Sequence, residues 1–375
     1  MLQVGLLAPE LTGAHGWGRY TMELAGALAA GEGVRFVIAA SRASPGDGGI
    51  PHHGYHPILP PLLPARRWTT PRSLVAVPRL LLAFRGCRVI HAAAEHYLPA
   101  AALAALGRPL FVTAHGTYLP MSALRGGVGW LYRWAASRAV VLAVSGYTAR
   151  QVQAVLPGAR LRVVPNGVHA ERFRAPPATL PAKGGLTVLG VGVNKARKGF
   201  HILLEAMAAV RDKVPDAQCV IIGDDRDESY QATLRQIVET HGLAGHVHIL
   251  GRVPEEVLLG WYHAADVFAL PAINVGGKFE GFGLVYLEAG AAGLPVIGTA
   301  GCGAEEAIED GVTGYLVPQH DVAALADRIV RLLADPALRQ RMGAAGRARA
   351  EAHTWARVAA QVRGLYEEAL RARGA

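Results

Sequence analysis

Short apolar runs recur along the whole chain, separated by alanine- and leucine-rich stretches. In the first half they are QVGLLAP, VRFVIAA, CRVIHA, PLFVTAH, AVVLAVS and LRVVPN. In the second half they are LTVLGVG, AQCVIIGD, VHILGR, DVFALP, PVIGTA and GYLVP. Continuous apolar strands that alternate with helices indicate parallel sheets covered on both faces. The alternation restarts after ERFRAPPATLPAKGG, residues 171–185, whose prolines and glycines read as a linker. The expectation is α/β: two doubly wound, Rossmann-like domains, 1–170 and 186–354, facing across a cleft. The helical tail, 355–375, adds no strand and is expected to pack back on the first domain. A chain of 375 residues exceeds what one core comfortably supports, which agrees with two.

In such sheets ligands sit beyond the C-terminal ends of the strands. The strand ends are therefore the places to search. FEGFGLVYLEAGAAGLPVIGT, Phe279 to Thr299, sets Glu280 and Glu288 on either side of a glycine turn that opens a helix. A helix start exposes unpaired N–H groups and carries partial positive charge. Gly281 and Gly283 remove side chains that would block a ligand. The amides of Leu284 and Val285 can then cradle a diphosphate. Glu288 lies about 7.5 Å beyond Gly283 at the helical rise. Carboxylates before and after a phosphate site suit a ligand with hydroxyls at both ends, a nucleotide-sugar.

Other strand ends carry weaker signals. Asn194-Lys195-Ala196-Arg197-Lys198-Gly199 places three cations in a glycine-bounded loop, which suits diphosphate neutralisation. Gly13-Ala14-His15-Gly16 follows the first strand and admits a phosphate or sugar to the backbone, though a plain tight turn reads nearly as well. His115 ends the strand PLFVTAH, and His91 ends the one before it. Each is either a cleft histidine or a satisfied core residue. Asp224-Asp225-Arg226-Asp227 follows AQCVIIG and reads as turn and helix-cap residues, not a metal site. Cys87, Cys219 and Cys302 lack metal-ligand spacing and read as reduced thiols in a cytoplasmic protein.

Charge is uneven. The net charge is +9, yet residues 1–170 hold 16 arginines, no lysine and five acids, giving +11 and leaving −2 for the rest. That asymmetry suggests an anionic partner. Residues 65–88, ARRWTTPRSLVAVPRLLLAFRGCR, interleave arginines with Trp68, Leu74, Val75, Leu80, Leu81, Leu82 and Phe84. Such an element suits the interface of an anionic bilayer, and equally a core helix with solvated arginines. No apolar run reaches the roughly 18–20 residues of a membrane span. The N-terminal MLQVGLLAPE has no basic n-region and reads as a first strand, not a signal peptide. Nucleic acid is not indicated, because no aromatic-interleaved basic motif accompanies the charge.

These residues together resemble glycosyltransferase family 4, with the two-domain GT-B fold. The most specific element is Glu280-GFGLVYL-Glu288. VVPNGV at 163–168, Lys198-Gly199, ADVFALP at 265–271 and EDGVTGYLVP at 309–318 support it. The resemblance implies a retaining hexosyltransferase that needs no metal and uses a nucleotide-diphosphate sugar. It implies that Glu280 and His115 contact the donor sugar and Glu288 the ribose. Lys198 neutralises the diphosphate, with Gly16 near it. PAINVGGKFEGFGLVYLEA is similar to mannosyltransferases that act on inositol lipids, which favours GDP-mannose over UDP-glucose and a lipid-linked acceptor over a soluble one. A peripheral enzyme at the inner face of a membrane fits that acceptor. One departure stands out: Val193 occupies a position where the family commonly has arginine, and Arg197 or Lys195 is the candidate replacement. The competing classes are a nucleotide-sugar epimerase, which needs no acceptor, and an NAD-dependent oxidoreductase. The latter lacks an acidic ribose partner after VRFVIAA.

Overall fold

The computed structural model describes residues 1–13, 16–31, 33–62 and 69–374. They form two compact units, Met1–Gly167 with Trp355–Ala375, and Val168–Thr354. The first unit holds seven strands: β1 (Leu2–Ala8), β2 (Val34–Ser41), β3 (His52–Leu59), β4 (Val89–Ala92), β5 (Leu110–Ala114), β6 (Ala139–Ala143) and β7 (Arg160–Val163). Their order is β3-β2-β1-β4-β5-β6-β7, and every pairing is parallel. The second unit holds β8 (Thr187–Val191), β9 (Gln218–Ile222), β10 (Val247–Gly251), β11 (Val267–Ala269), β12 (Val296–Thr299) and β13 (Gly314–Val317). Their order is β10-β9-β8-β11-β12-β13, again all parallel.

Twelve of these strands coincide with the apolar runs. β3 does not. HHGYHPIL has three histidines, a glycine and a proline, and only Leu59 is fully buried. It is an edge strand that pairs with β2 alone, where a proline removes no ladder bond that matters. The central strands β4, β5 and β8 are buried throughout and β1 from Val4 onward, as parallel strands covered on both faces must be.

The helix Trp355–Gly374 belongs to the first unit. Tyr366 of this helix is fully buried, bonds His91 Nδ1 at 2.6 Å and lies edge-on to Phe111. A side chain at Gly167 would come within 2.7 Å of the Trp355 amide, so close approach explains that glycine. Residues 171–185 lie within the second unit. Phe173 of the helix Ala170–Arg174 packs edge-on to Tyr262 at 5.5 Å, and Lys183 pairs with Asp266 at 2.7 Å.

Candidate functional site

Both sheets reverse strand order once, between β1 and β4 in the first and between β8 and β11 in the second. Ligands of open parallel sheets occupy such switch points. In the second unit, the segments leaving β8 and β11 carry the basic loop and the glycine-flanked turn.

After β8 the chain makes a short 3-10 turn, Ala196–Lys198, that ends at Gly199 in the left-handed region. A Cβ at Gly199 would lie 1.8 Å from the Pro271 carbonyl oxygen, so only glycine lets the two segments meet. The Ile273 amide bonds the Arg197 carbonyl at 2.8 Å and ties them again. This seam brings three predicted residues together. Glu280 Oε2 accepts from Lys198 Nζ at 2.6 Å and from Arg197 Nη1 at 3.0 Å. Lys198 and Glu280 are both buried. Burial pushes the Glu280 carboxyl up, but Lys198 and Arg197 outweigh it and hold it down at about 2. Burial in turn lowers Lys198, against the opposing pull of Glu280. The cluster is therefore an ion pair with a second cation, and both cations fall on one carboxylate oxygen. Of the two candidates to replace arginine at 193, Arg197 reaches the cluster and Lys195 is exposed.

Gly283 is the N-cap of the helix Leu284–Ala292, at φ 83°, and no side chain caps that helix. Leu284 and Val285 begin it and are half-buried. The neighbouring helix, Phe200–Lys213, differs: the Tyr230 hydroxyl accepts from the His201 amide at 3.1 Å and occupies its start. Between these two helix starts, the one at Leu284 keeps its amides open to an anion. Glu288, one turn further on, is buried and does not join the Glu280 cluster. Its Oε2 accepts from the Tyr262 hydroxyl at 3.0 Å. Tyr262 was not singled out by sequence; it lies in a different helix, Glu255–Ala264, and no spacing rule links it to Glu288.

The acidic turn after β9 is engaged elsewhere. Asp224 pairs with Arg226 and with Arg252, the latter at 2.9 Å, and these contacts hold its carboxyl far below the usual range. Asp227 caps the helix Glu228–Thr240 through the Tyr230 amide, as turn chemistry predicts. Among the described residues no three His, Cys, Asp or Glu side chains gather as a metal site.

In the first unit the two strand-end histidines separate. His91 is fully buried, with Nδ1 on Tyr366 and Nε2 on the Thr113 hydroxyl at 2.9 Å, and burial lowers it to about 3. It is a core residue. His115 is half-buried, lies edge-on to Tyr20 and is lowered by burial to about 4. Its Nε2 faces the Ala93 carbonyl at 2.7 Å and must donate. Nδ1 of the neutral ring is then an acceptor, suited to a hydroxyl. The His115 amide donates to Glu95 Oε1 at 2.6 Å. Gly16 is exposed at the start of the helix Gly16–Ala30, with nothing within 4 Å of a Cβ placed there. Ala14 and His15 of the same turn lie outside the described residues.

The comparisons agree with this architecture. Solved structures of like fold include a sucrose-phosphate synthase from Thermosynechococcus elongatus, with TM-score 0.77 and 25% identity, covering 99% of this chain and 100% of that one. HepE of Anabaena, solved with UDP and glucose, has TM-score 0.78 at 19% identity over 98% of this chain and all of its own. The fold is GT-B, that of nucleotide-sugar-dependent glycosyltransferases. Two family models divide the chain: "Glycosyltransferase Family 4" matches residues 14–172 and "Glycosyl transferases group 1" matches 172–349. The phosphatidyl-myo-inositol mannosyltransferase of Mycobacterium leprae is 34% identical over 262 residues, 69% of this chain and 67% of its own. A GDP-mannose-dependent alpha-(1-6)-phosphatidylinositol monomannoside mannosyltransferase of Mycobacterium tuberculosis is 37% identical over 259 residues, 66% of each chain. The matched segments thus span about two thirds of these relatives. The chain belongs to glycosyltransferase family 4.

Proposed function

We propose that this chain transfers mannose from GDP-mannose to a lipid-linked acceptor with retention of configuration. The observation that carries the reading is the buried Lys198–Arg197–Glu280 cluster at a sheet switch point, in the same unit as an open helix start. Lys198, Arg197 and the amides of Leu284 and Val285 neutralise the donor diphosphate. Glu280 Oε1, the oxygen that carries neither cation, takes a hydroxyl of the donor sugar. Glu288, oriented by Tyr262, takes the ribose. In the first unit, Gly16 and the neutral His115 stand beyond strand ends, where a sugar hydroxyl can reach them.

The reaction is a same-face displacement. The bond from the anomeric carbon to the diphosphate oxygen breaks, the acceptor oxygen bonds that carbon, and the acceptor proton passes to the leaving phosphate. The protein's part is to stabilise charge on the departing diphosphate, which fixed amides and cations do well in a dry site. The mannose and inositol-lipid assignments follow the two mycobacterial relatives. Incubation with GDP-mannose, UDP-glucose or NAD and phosphatidylinositol vesicles tests the reading. An α-mannosylated lipid is the expected product. Turnover of donor without any acceptor would favour an epimerase, and transfer with inversion would overturn the displacement scheme. Because both oxygens of Asp224 are held by arginines, Oδ1 by Arg226 and Oδ2 by Arg226 and Arg252, activity is expected to survive excess chelator. Loss in chelator that Mg²⁺ or Mn²⁺ restores would contradict this.

A membrane surface suits the acceptor. No helix of the described residues is long and apolar enough to cross a membrane. The basic segment forms two short helices, Thr69–Val75 and Val77–Ala83, while residues 65–68 lie outside the described ones. Leu80 and Phe84 are fully buried, so one face belongs to the core. The other exposes Val75 and Leu82 beside Arg72, Arg79 and Arg85. Each basic residue near an anionic surface contributes about 1 kcal/mol. Sedimentation with vesicles is expected to need anionic lipid and to weaken at high salt. Equal recovery in the supernatant with neutral and anionic vesicles at low salt would point to a soluble acceptor.

A further inference from the structure

The switch point of the first sheet carries a second constellation. Trp17 follows β1, His96 follows β4 and Tyr118 follows β5. Their rings meet in a triangle: Trp17 to His96 at 5.4 Å edge-on, Trp17 to Tyr118 at 4.8 Å, and His96 to Tyr118 at 5.0 Å. All three are half-buried, so each ring keeps part of its surface open. Aromatic clusters alone are ordinary packing. Two polar atoms beside this one are not. Glu95 is fully buried, and its Oε2 has no hydrogen-bond partner. Nδ1 of His96, the next residue, is also buried without one. Buried polar atoms are nearly always paired, and an unpaired one calls for a partner of another kind. The other Glu95 oxygen is fixed on the His115 amide, which holds the carboxyl in place.

We propose that Trp17, His96 and Tyr118 form a stacking platform for the polyhydroxylated ring of the acceptor, a hexose or cyclitol, whose hydroxyls partner Glu95 Oε2 and His96 Nδ1. The C–H face of such a ring is apolar and its rim is polar. An aromatic surface backed by a few convergent polar groups matches both. Burial lowers His96 to about 4, so the ring is neutral and Nδ1 can pair with a hydroxyl. A linear polyol offers the hydroxyls without the flat face, and so distinguishes stacking from hydrogen bonding alone. The inference rests on the glycosyltransferase reading for the word acceptor.

Saturation-transfer NMR on the full chain tests it, with methyl α-mannopyranoside, myo-inositol and glycerol as probes. At least one ring polyol is expected to receive saturation at its ring C–H protons, and glycerol is not. Trp17→Ala and Tyr118→Leu are each expected to weaken ring-polyol binding about tenfold, and Trp17→Phe by no more than about threefold. If Trp17→Ala fails to fold, Tyr118→Leu decides. The donor side is read separately: GDP-mannose is expected to raise the melting temperature of wild type and Tyr118→Leu alike. Equal ring-polyol binding by wild type and both variants, or binding no better than glycerol, overturns the platform. No shift of the wild type with any nucleotide-sugar overturns the donor reading instead.

Discussion

Glu280→Gln is expected to depress sugar transfer about tenfold to a hundredfold, the scale of one lost hydrogen bond to a charged group, roughly 1.5–3 kcal/mol. Nucleotide affinity should fall less, because the diphosphate contacts stay in place. The structure adds a second effect. Glu280 is the carboxylate that Lys198 and Arg197 share. Breaking a buried ion pair from one side costs about 3–5 kcal/mol, since the remaining charge is left uncompensated. Glu280→Gln should therefore also unfold at lower temperature. Pairing it with Lys198→Met removes the stranded cation and should recover part of that stability, while transfer stays low. Full transfer activity in Glu280→Gln would sink the assignment.

Acid is expected to destabilise the first unit steeply. Folding depresses His91 to about 3 and His96 and His115 to about 4, each from 6.5. A depressed histidine contributes stability that is fully present above 6.5 and is lost as pH falls from there toward the folded value. For His91 the loss by pH 5 is about 2 kcal/mol, and the three together set an upper bound of about 6. Glu95 works the other way. Burial raises it from 4.5 to about 7, so its folded form gains relative stability on acidification, by about 2 kcal/mol between pH 7 and pH 5. The net loss is about 4 kcal/mol at most. Urea denaturation at pH 7 and pH 5 measures it. Glu95→Gln should raise stability at pH 7 more than at pH 5 and so steepen the acid loss. A midpoint no lower at pH 5 than at pH 7 would contradict that net loss.

The two histidines also show where sequence reading stops. His91 and His115 both end a strand and look alike along the chain. What separates them is Tyr366, 275 positions away, which reaches His91 and makes it core. Tyr262 against Glu288, and the triangle of Trp17, His96 and Tyr118, depend in the same way on contacts between elements. By contrast, the central strands were legible because parallel strands covered on both faces must be apolar, and the edge strands β7, β10 and β13 because each still lies in an apolar run. β3, at a sheet edge and free of that demand, was missed because HHGYHPIL carries no apolar run. The basic loop and the glutamate-flanked turn were legible because glycine and charge at strand ends have few other uses. Their convergence was not, since the bonds from Lys198 and Arg197 to Glu280 span more than 80 positions.

The central claim is that the second unit's switch point holds the donor's diphosphate and ribose. Calorimetric titration of GDP-mannose into wild type, Lys198→Gln and Glu288→Ala, at low salt and with chelator present, tests it most directly. Wild type is expected to bind, with a loss of about tenfold or more in each variant, from the phosphate contact in one and the ribose contact in the other. Equal affinity in all three proteins, or no binding of GDP-mannose or UDP-glucose to wild type, would contradict it.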